Sequence, residues 1–195
     1  MIGFYNVSVI LTYLGVCFAL VGCKTAIQGN ISIAALCLIA SGICDIFDGK
    51  VARRIQRTPQ ECAFGVQIDS LADIVNFAIL PVIIGLSIKT PLVICIIYIL
   101  SAIIRLGYYN TVGLSNGCFW GLPVTFSALF VPLLICINSA VKVNINILYS
   151  ILMIGLAVFF ILPIKVKKPQ KTFLVCIIIF ELVMGIFLIY SILQN

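Results

Sequence analysis

Four aspartates form two closely spaced pairs between residues 45 and 73. Asp45 and Asp48 are three residues apart, and Asp69 and Asp73 are four residues apart. On an α-helix, these spacings place both carboxylates of a pair on one face, about 4.5 Å and about 6 Å apart along the axis. Two neighbouring helices could therefore present four carboxylates to one cavity.

Such a group of carboxylates needs a compensating cation, because like charges repel each other strongly where water is scarce. The chain has no histidine and no Cys-x-x-Cys pair that would suit zinc. Ligands that are all oxygen atoms favour a hard divalent ion, Mg²⁺ or Mn²⁺, and such ions commonly join carboxylates to substrate phosphates. The pattern therefore predicts phosphoryl or phosphatidyl transfer at a metal site.

Residues beside the two pairs are suited to a phosphate ligand. Arg53 follows Asp48 by five residues and would supply a fixed positive charge. Gly49 and Gly65 have no side chains where a diphosphate would approach. Taken singly, each aspartate could instead pair with a neighbouring arginine, and each glycine could serve helix packing. The joint spacing favours the catalytic interpretation.

The elements that must position these groups are hydrophobic helices. Of the 195 residues, 63% are hydrophobic and 9% are charged, whereas a soluble domain usually carries about 25% charged residues. A bilayer crossing needs about 20 apolar residues, and the backbone satisfies its hydrogen bonds there by forming a helix. We therefore expect an all-α integral membrane protein with seven transmembrane helices, within a range of six to eight, in one catalytic domain over residues 1–195. The predicted segments cover residues 6–26, 31–55, 64–88, 91–110, 121–140, 145–163 and 172–193.

The basic residues predict how the helices are oriented. Nine lysines and arginines lie in or near the connections after the second, fourth and sixth segments, and three lie on the other side. The positive-inside rule then places the nine-charge side, with both aspartate pairs, at the cytoplasmic face of the cell membrane. Because the net charge of +6 is dispersed between apolar runs, it does not indicate a nucleic-acid partner. The nine residues are Lys50, Arg53, Arg54, Arg57, Arg105, Lys165, Lys167, Lys168 and Lys171, and the three are Lys24, Lys89 and Lys142.

The residues around the two aspartate pairs resemble the signature of the CDP-alcohol phosphatidyltransferases, D-x2-D-G-x2-A-R-x8-G-x3-D-x3-D. One departure is that eleven residues, RIQRTPQECAF, separate Arg53 from Gly65 instead of eight. The extra residues are expected in the connection between two helices, where insertions are tolerated. All eight signature positions are present, as Asp45, Asp48, Gly49, Ala52, Arg53, Gly65, Asp69 and Asp73.

Other stretches look like the phosphatidylserine synthase branch of that family, and the resemblance covers roughly residues 5–135. That branch usually has Ser-Phe-Gly where this chain has Asn76-Phe77-Ala78, which leaves the acceptor alcohol open. The similar stretches are FGVQIDSLADIVNFAILP at 64–81, RLGYYN at 105–110 and GLPVT at 121–125.

The resemblance implies transfer of a phosphatidyl group from CDP-diacylglycerol to a small alcohol, L-serine in this branch, with release of CMP, by a homodimer among the membrane lipids. It implies that Asp45, Asp48 and Asp69 bind metal. Asp73 would complete a site for two ions, Mg²⁺ or Mn²⁺, and act as general base, a role that suits a carboxylate in a chain without histidine. Contacts to the CDP or phosphate group are implied for Gly49, Ala52, Arg53, Gly65, Asn6 and Thr12.

Several alternatives stay open at this point. The acceptor could be glycerol 3-phosphate, an inositol phosphate or another small alcohol, since Arg54, Arg57 and Arg105 could contact a phosphate or the acceptor. Arg105 could instead extend to the lipid headgroups beside the tyrosines that follow it. A cation transporter is a remote alternative, because its carboxylates would be expected near the bilayer midplane. Glu181, in the last segment, is interpreted as a residue that forms a hydrogen bond between helices.

Overall fold

The computed structural model describes residues 3–113, 118–141, 144–167 and 171–194. Helices dominate this part of the chain, and a π-helical turn, Ile74–Ile79, and a 3₁₀ turn, Val124–Phe126, connect some of them. The helices are α1 (Val7–Ile27), α2 (Ile31–Ala52), α3 (Pro59–Asp73), α4 (Leu80–Ser87), α5 (Leu92–Val112), α6 (Ser127–Val141), α7 (Ile145–Ile161) and α8 (Lys171–Leu193). The strands are β1 (Cys118–Trp120) and β2 (Lys165–Lys167).

The apolar helices confirm the predicted class of all-α integral membrane protein. Within the described ranges, six spans are long and apolar enough to cross a bilayer, and α7, with 17 residues, is shorter. The third span joins α3, the π-helical turn and α4 into 29 continuous residues, Pro59–Ser87. Each of the seven predicted segments overlaps with one of these seven spans.

The connection between α2 and α3 is shorter than the sequence predicts, because α3 begins at Pro59 and not near residue 64. Thr58 caps this helix. Its Oγ1 accepts a hydrogen bond from the N–H of Glu61 at 3.3 Å, and its own N–H donates to Glu61 Oε2 at 2.8 Å. This reciprocal pair, with Pro59 in the first turn, starts a helix inside a polar stretch. The eleven residues between Arg53 and Gly65 are therefore divided between the connection and the first turns of α3.

Small residues bring α1 and α2 close together. A Cβ atom added to Gly22 would lie only 2.9 Å from Cβ of Cys37, so the two backbones approach as nearly as a glycine permits. About two turns nearer the start of α1, Ser41 Oγ donates a hydrogen bond to the carbonyl of Gly15 at 2.6 Å. This close packing sets the first turns of α1 beside the end of α2 that carries the first aspartate pair.

Pro81 explains the π-helical turn that follows the second aspartate pair. A proline has no N–H to donate to the carbonyl four residues earlier, and its ring pushes that carbonyl away. The freed carbonyl of Phe77 accepts hydrogen bonds from Tyr98 Oη at 2.7 Å and from Ser127 Oγ at 3.2 Å. The widened turn thus ties the third span to α5 and to the start of α6, directly after Asp73.

The sequence does not predict the two strands, because three residues are too few to show a strand pattern. β1 and β2 pair in antiparallel register, with Trp120 opposite Lys165. Gly121, which follows β1, has a φ of 75°, and a Cβ atom there would collide with the carbonyl of Phe160. The strand pair joins the α5–α6 and α7–α8 connections, two of the three assigned to the cytoplasmic side. Among the basic residues counted above, Lys142 and Lys168 lie outside the described residues.

Candidate active site

A cavity with a volume of about 870 Å³ lies between α2, α3, α5, the 3₁₀ turn and α8. Thr125 and Tyr109 on its wall belong to the GLPVT and RLGYYN stretches that the sequence singles out. The charged side chains that line it are Asp45, Asp48, Lys50, Arg53, Arg54, Asp69, Asp73, Arg105 and Glu181.

Three of the four aspartates form one group of carboxylates. Asp45, Asp48 and Asp69 each place a carboxylate oxygen so that the three oxygens lie within 4.8 Å of one another. Two of these side chains come from the end of α2 and the third comes from α3, as the helical spacing predicts. A Mg²⁺ ion with bonds of about 2.1 Å needs ligand oxygens no more than about 4 Å apart. Small side-chain rotations would therefore close this group around such an ion, and its donor atoms suit a hard cation.

Asp73 lines the same cavity but is not a member of the three-carboxylate group. It ends α3, one turn beyond Asp69, and is 9% exposed. Its electrostatic partners include Arg105 from α5 as well as the other aspartates. Asp73 therefore lies beside the three-carboxylate group. Its own carboxylate also interacts with the fixed positive charge of Arg105.

The first aspartate pair is held in place from α1. Thr12 Oγ1 lies 2.6 Å from Oδ2 of Asp48 and 3.1 Å from the carbonyl of Ser8. Asp48 is only 5% exposed, and this hydroxyl restricts the rotation of its carboxylate. The residue that the resemblance places near the nucleotide thus also contacts a candidate metal ligand.

Asn6, the other residue in that prediction, precedes α1 and lines neither this cavity nor the smaller one described below. It caps α1, since its Oδ1 accepts hydrogen bonds from the N–H of Val9 at 3.1 Å and from Ser8 Oγ at 2.7 Å. This structural role explains why an asparagine precedes the helix. A contact between Asn6 and a nucleotide stays a prediction.

A smaller cavity of about 250 Å³ lies between α1, α2 and α3 and shares part of its wall with the larger one. Gly49 has open space around it, because a Cβ atom added there would meet no described atom within 4 Å outside its own helix. Gly65 leaves room for the side chain of Arg57, since a Cβ atom added to Gly65 would lie only 3.1 Å from a guanidinium nitrogen of that arginine. The predicted residues on its wall are Thr12, Asp48, Gly49, Ala52, Arg53, Arg57, Gly65 and Asp69.

The sequence profile of the CDP-alcohol phosphatidyltransferase family matches residues 5–194. The chain belongs to this family. The match confirms the resemblance that the aspartate signature indicates, and it extends over the last two helices, which carry no signature residue. In a CDP-alcohol phosphatidyltransferase, the three-carboxylate group and the two cavities are the natural candidates for the metal and the CDP group.

Curated relatives within the family carry similar names. The chain is 26% identical over 185 residues to a CDP-diacylglycerol–serine O-phosphatidyltransferase of Helicobacter pylori, a match that covers 80% of this chain and 77% of that protein. It is 32% identical over 105 residues to the protein of the same name from Mycobacterium tuberculosis, which covers 51% of this chain and 36% of the relative. An archaetidylserine synthase of Methanothermobacter thermautotrophicus is 28% identical over 108 residues, with 53% of this chain and 46% of the relative covered. The match therefore spans only about a third of the mycobacterial relative and about half of the archaeal one.

Arg105 is buried within the helix bundle and does not lie at its outer surface. Its side chain is 6% exposed, lines the larger cavity and has its guanidinium carbon 5.3 Å from the ring centre of Tyr109. This burial argues against extension of the side chain to the headgroups, and a contact with the acceptor or a phosphate stays a prediction. Arg54 lines the larger cavity as well, whereas Arg57 lines the smaller one.

Glu181 is the residue of the site that sequence reasoning missed. It comes from α8, is 2% exposed and lines the larger cavity together with the aspartates of α2 and α3. Its Oε2 has no hydrogen-bond partner among the described residues, so the predicted bond between helices is not formed by this atom. A signal was available, because Glu181 is the single charged residue between Thr172 and Leu193 and an ionisable residue within a membrane helix commonly marks a functional site.

Proposed function

We propose that the protein is a phosphatidylserine synthase that transfers a phosphatidyl group from CDP-diacylglycerol to the hydroxyl group of L-serine and releases CMP. The observation that carries the proposal is the arrangement of the three-carboxylate group, Asp73 and Arg105 around one cavity. The names of the relatives support a serine acceptor.

The donor side of the site would bind the CDP group. Asp45, Asp48 and Asp69, completed by Asp73, would hold two ions of Mg²⁺ or Mn²⁺, which when bound would neutralise the diphosphate and stabilise the CMP leaving group. Arg53 lines both cavities and would contact a diphosphate that extends from one to the other. The open space at Gly49 would allow the phosphates to approach the α2 backbone.

Asp73 would serve as the general base, because it faces the cavity and stands beside the three-carboxylate group. The acceptor hydroxyl would give its proton to the Asp73 carboxylate while its oxygen forms a bond to the lipid-linked phosphorus. The bond between this phosphorus and the oxygen bridging to CMP breaks, and CMP leaves with the electron pair. The chain has no histidine that could take this proton.

The donor lipid would reach the site from the membrane. The acyl chains of the donor would stay in the bilayer while its CDP group enters the site from the cytoplasmic face of the cell membrane, where the basic side chains attract an anionic lipid. The homodimer and the choice between Mg²⁺ and Mn²⁺ stay predictions from the family resemblance.

The experiment that tests the proposal is CMP release by the purified protein in detergent. The reaction contains CDP-diacylglycerol, Mg²⁺ or Mn²⁺, and one labelled acceptor at a time. Asp73→Asn removes the proposed base, and Glu61→Gln makes the same acid-to-amide change outside both cavities while keeping a residue that can cap α3. We expect serine-dependent CMP and a labelled phospholipid with wild-type and Glu61→Gln protein, and loss of both with Asp73→Asn.

Two other results would change the conclusion. Release of CMP only with glycerol 3-phosphate or an inositol phosphate would keep the chemistry and assign Arg54 and Arg105 to the acceptor phosphate, since both line the larger cavity. No release with any acceptor, by a folded protein supplied with metal, would refute the proposed transfer.

A further inference from the structure

Glu181 is a buried carboxylate with an unused hydrogen-bonding atom. Its side chain is 2% exposed, and its Oε2 has no hydrogen-bond partner among the described residues. A buried polar atom without a partner costs free energy, and a charged one costs more. The Glu181 side chain lines the larger cavity, so a small rotation of its carboxylate would let a ligand in that cavity supply the missing partner.

Glu181 of α8 lies near the three-carboxylate group. It contacts α2 at Gly42, about one helical turn before Asp45. A Cβ atom added to Gly42 would lie 3.4 Å from Glu181 Oε1 and 2.8 Å from Cβ of Ala128. Gly42 precedes Asp45 by three residues, which is about 4.5 Å along the helix. α2, α6 and α8 therefore meet closely at this glycine, and its missing side chain leaves the space that the glutamate occupies. The carboxylate is held on the side of the aspartates away from the α2–α3 connection.

The charges that line the cavity indicate which ligand would fit there. The four aspartates are accounted for by the three-carboxylate group and the proposed base, and Arg53 by the donor diphosphate. Glu181 is the carboxylate that remains among the described lining residues. A negative group in this place would attract a cationic group on the acceptor and would repel an acceptor phosphate. An amino acid also brings a carboxylate, and the Arg105 guanidinium on the same cavity wall would attract it.

We propose that Glu181 binds the α-ammonium group of the acceptor and so selects a zwitterionic amino acid over neutral or phosphorylated alcohols. This inference rests on the proposed function, because it concerns the acceptor of the same transfer reaction. It assigns a specificity role to a residue outside the aspartate signature. The ammonium group would satisfy Oε2, and the acceptor hydroxyl would then extend towards Asp73.

The test compares Glu181→Gln with wild type at fixed CDP-diacylglycerol while L-serine is varied. We expect the KM for serine to rise by about 10- to 100-fold, the loss typical of a charge-assisted hydrogen bond, while the KM for CDP-diacylglycerol stays unchanged. A second acceptor, 3-hydroxypropionate, has the hydroxyl and carboxylate of serine but no ammonium group. Wild type should use it poorly, and Glu181→Gln should use it no worse than wild type does.

Controls separate an acceptor contact from a structural role. Glu61→Gln makes the same chemical change outside both cavities and should leave the KM for serine as in wild type. Glu181→Met fills the same space without a polar atom, so it should unfold at the same temperature as wild type or higher and still bind serine weakly. This second variant keeps the test decisive if Glu181→Gln folds poorly.

The outcomes distinguish the two proposals. Wild-type protein that releases no CMP with serine would overturn the proposed function, and the role of Glu181 with it. Wild-type protein that is active with serine, together with Glu181 variants whose KM for serine is unchanged, would overturn the role of Glu181 alone. An equal loss with serine and with 3-hydroxypropionate would also overturn it, because the effect would not depend on the ammonium group.

Discussion

Thr12 Oγ1 lies 2.6 Å from Oδ2 of Asp48, across the interface between α1 and α2. The hydroxyl belongs to the first helix, whereas the carboxylate belongs to the group that is suited to a divalent ion. Partners of this kind orient a ligand before the metal binds. The first helix therefore helps to orient the carboxylate of Asp48, in addition to anchoring the chain in the membrane.

Thr12→Val removes this hydrogen bond with little change in shape. We expect the Mg²⁺ or Mn²⁺ concentration for half-maximal activity to rise by about 10-fold, as is typical when a partner of a metal ligand is lost. The measurement is CMP release as a function of metal concentration. Thr25→Val is the matched control, since Thr25 Oγ1 donates to the Gly22 carbonyl on the same helix and lines neither cavity. An unchanged metal dependence in Thr12→Val would show that Asp48 needs no support from α1.

Asp69→Asn should have opposite effects on the stability of the metal-free protein and on its response to metal. Without metal, the three carboxylates repel each other, so removing one charge should raise the unfolding temperature by about 2–4 °C. With wild type, Mn²⁺ should raise the unfolding temperature because it binds the folded state. We expect Asp69→Asn to lose most of that rise and more than about 100-fold in activity, beyond the loss typical of a supporting residue.

The measurement is thermal unfolding in detergent with and without MnCl₂, beside the CMP assay. Glu61→Gln should respond to Mn²⁺ as wild type does, because it lines neither cavity. A wild-type response to Mn²⁺ in Asp69→Asn would mean that the ion binds elsewhere.

The helices and the candidate site could be predicted from the sequence for different reasons. Hydropathy marks the spans because the bilayer demands long apolar helices. The spacing of the aspartates indicates a shared face, and Asp45, Asp48 and Asp69 do come together. The start of α3 was misplaced because Pro59 and Glu61 lower the local hydropathy, although the capping interaction with Thr58 favours a helix there.

What the sequence could not predict depends on contacts between distant segments. Glu181 lies more than a hundred residues after Asp73, and its place beside Gly42 follows from the packing of α8 against α2. The strand pair likewise needs two connections to meet, and three residues in each leave no pattern to detect. Asn6 matched the expected position of a nucleotide contact, but a helix cap explains the same residue.

Gly49→Ala and Gly22→Ala should separate space for substrate from space for helix packing. A Cβ at Gly49 meets no described atom within 4 Å outside its own helix, so alanine there should stabilise the helix by about 0.5–1 kcal/mol. The same methyl group narrows both cavities, which Gly49 lines, and should raise the KM for CDP-diacylglycerol several-fold. At Gly22 the added atom would lie 2.9 Å from Cys37 Cβ and 3.0 Å from Leu80, which should destabilise the fold by about 1–3 kcal/mol.

Thermal unfolding measures the change in stability of each variant, and steady-state kinetics measure its KM for CDP-diacylglycerol. An unchanged KM for CDP-diacylglycerol in Gly49→Ala would place the diphosphate away from the α2 backbone. A Gly22→Ala variant as stable as wild type would show that α1 and α2 can move apart without cost.

Arg105→Lys and Arg57→Lys should weaken the binding of different substrates, because the two arginines line different cavities. Arg105 is buried, lies over the ring of Tyr109 and faces Asp73, so its planar guanidinium is suited to a carboxylate on the acceptor. Lysine keeps the charge but loses the two parallel hydrogen bonds and the stacking, and we expect the KM for serine to rise by about 10-fold. Arg57→Lys should instead raise the KM for CDP-diacylglycerol, with little change for serine. Steady-state kinetics with each substrate varied in turn distinguish the two. If both variants changed the same KM, the donor and the acceptor would not be divided between the cavities.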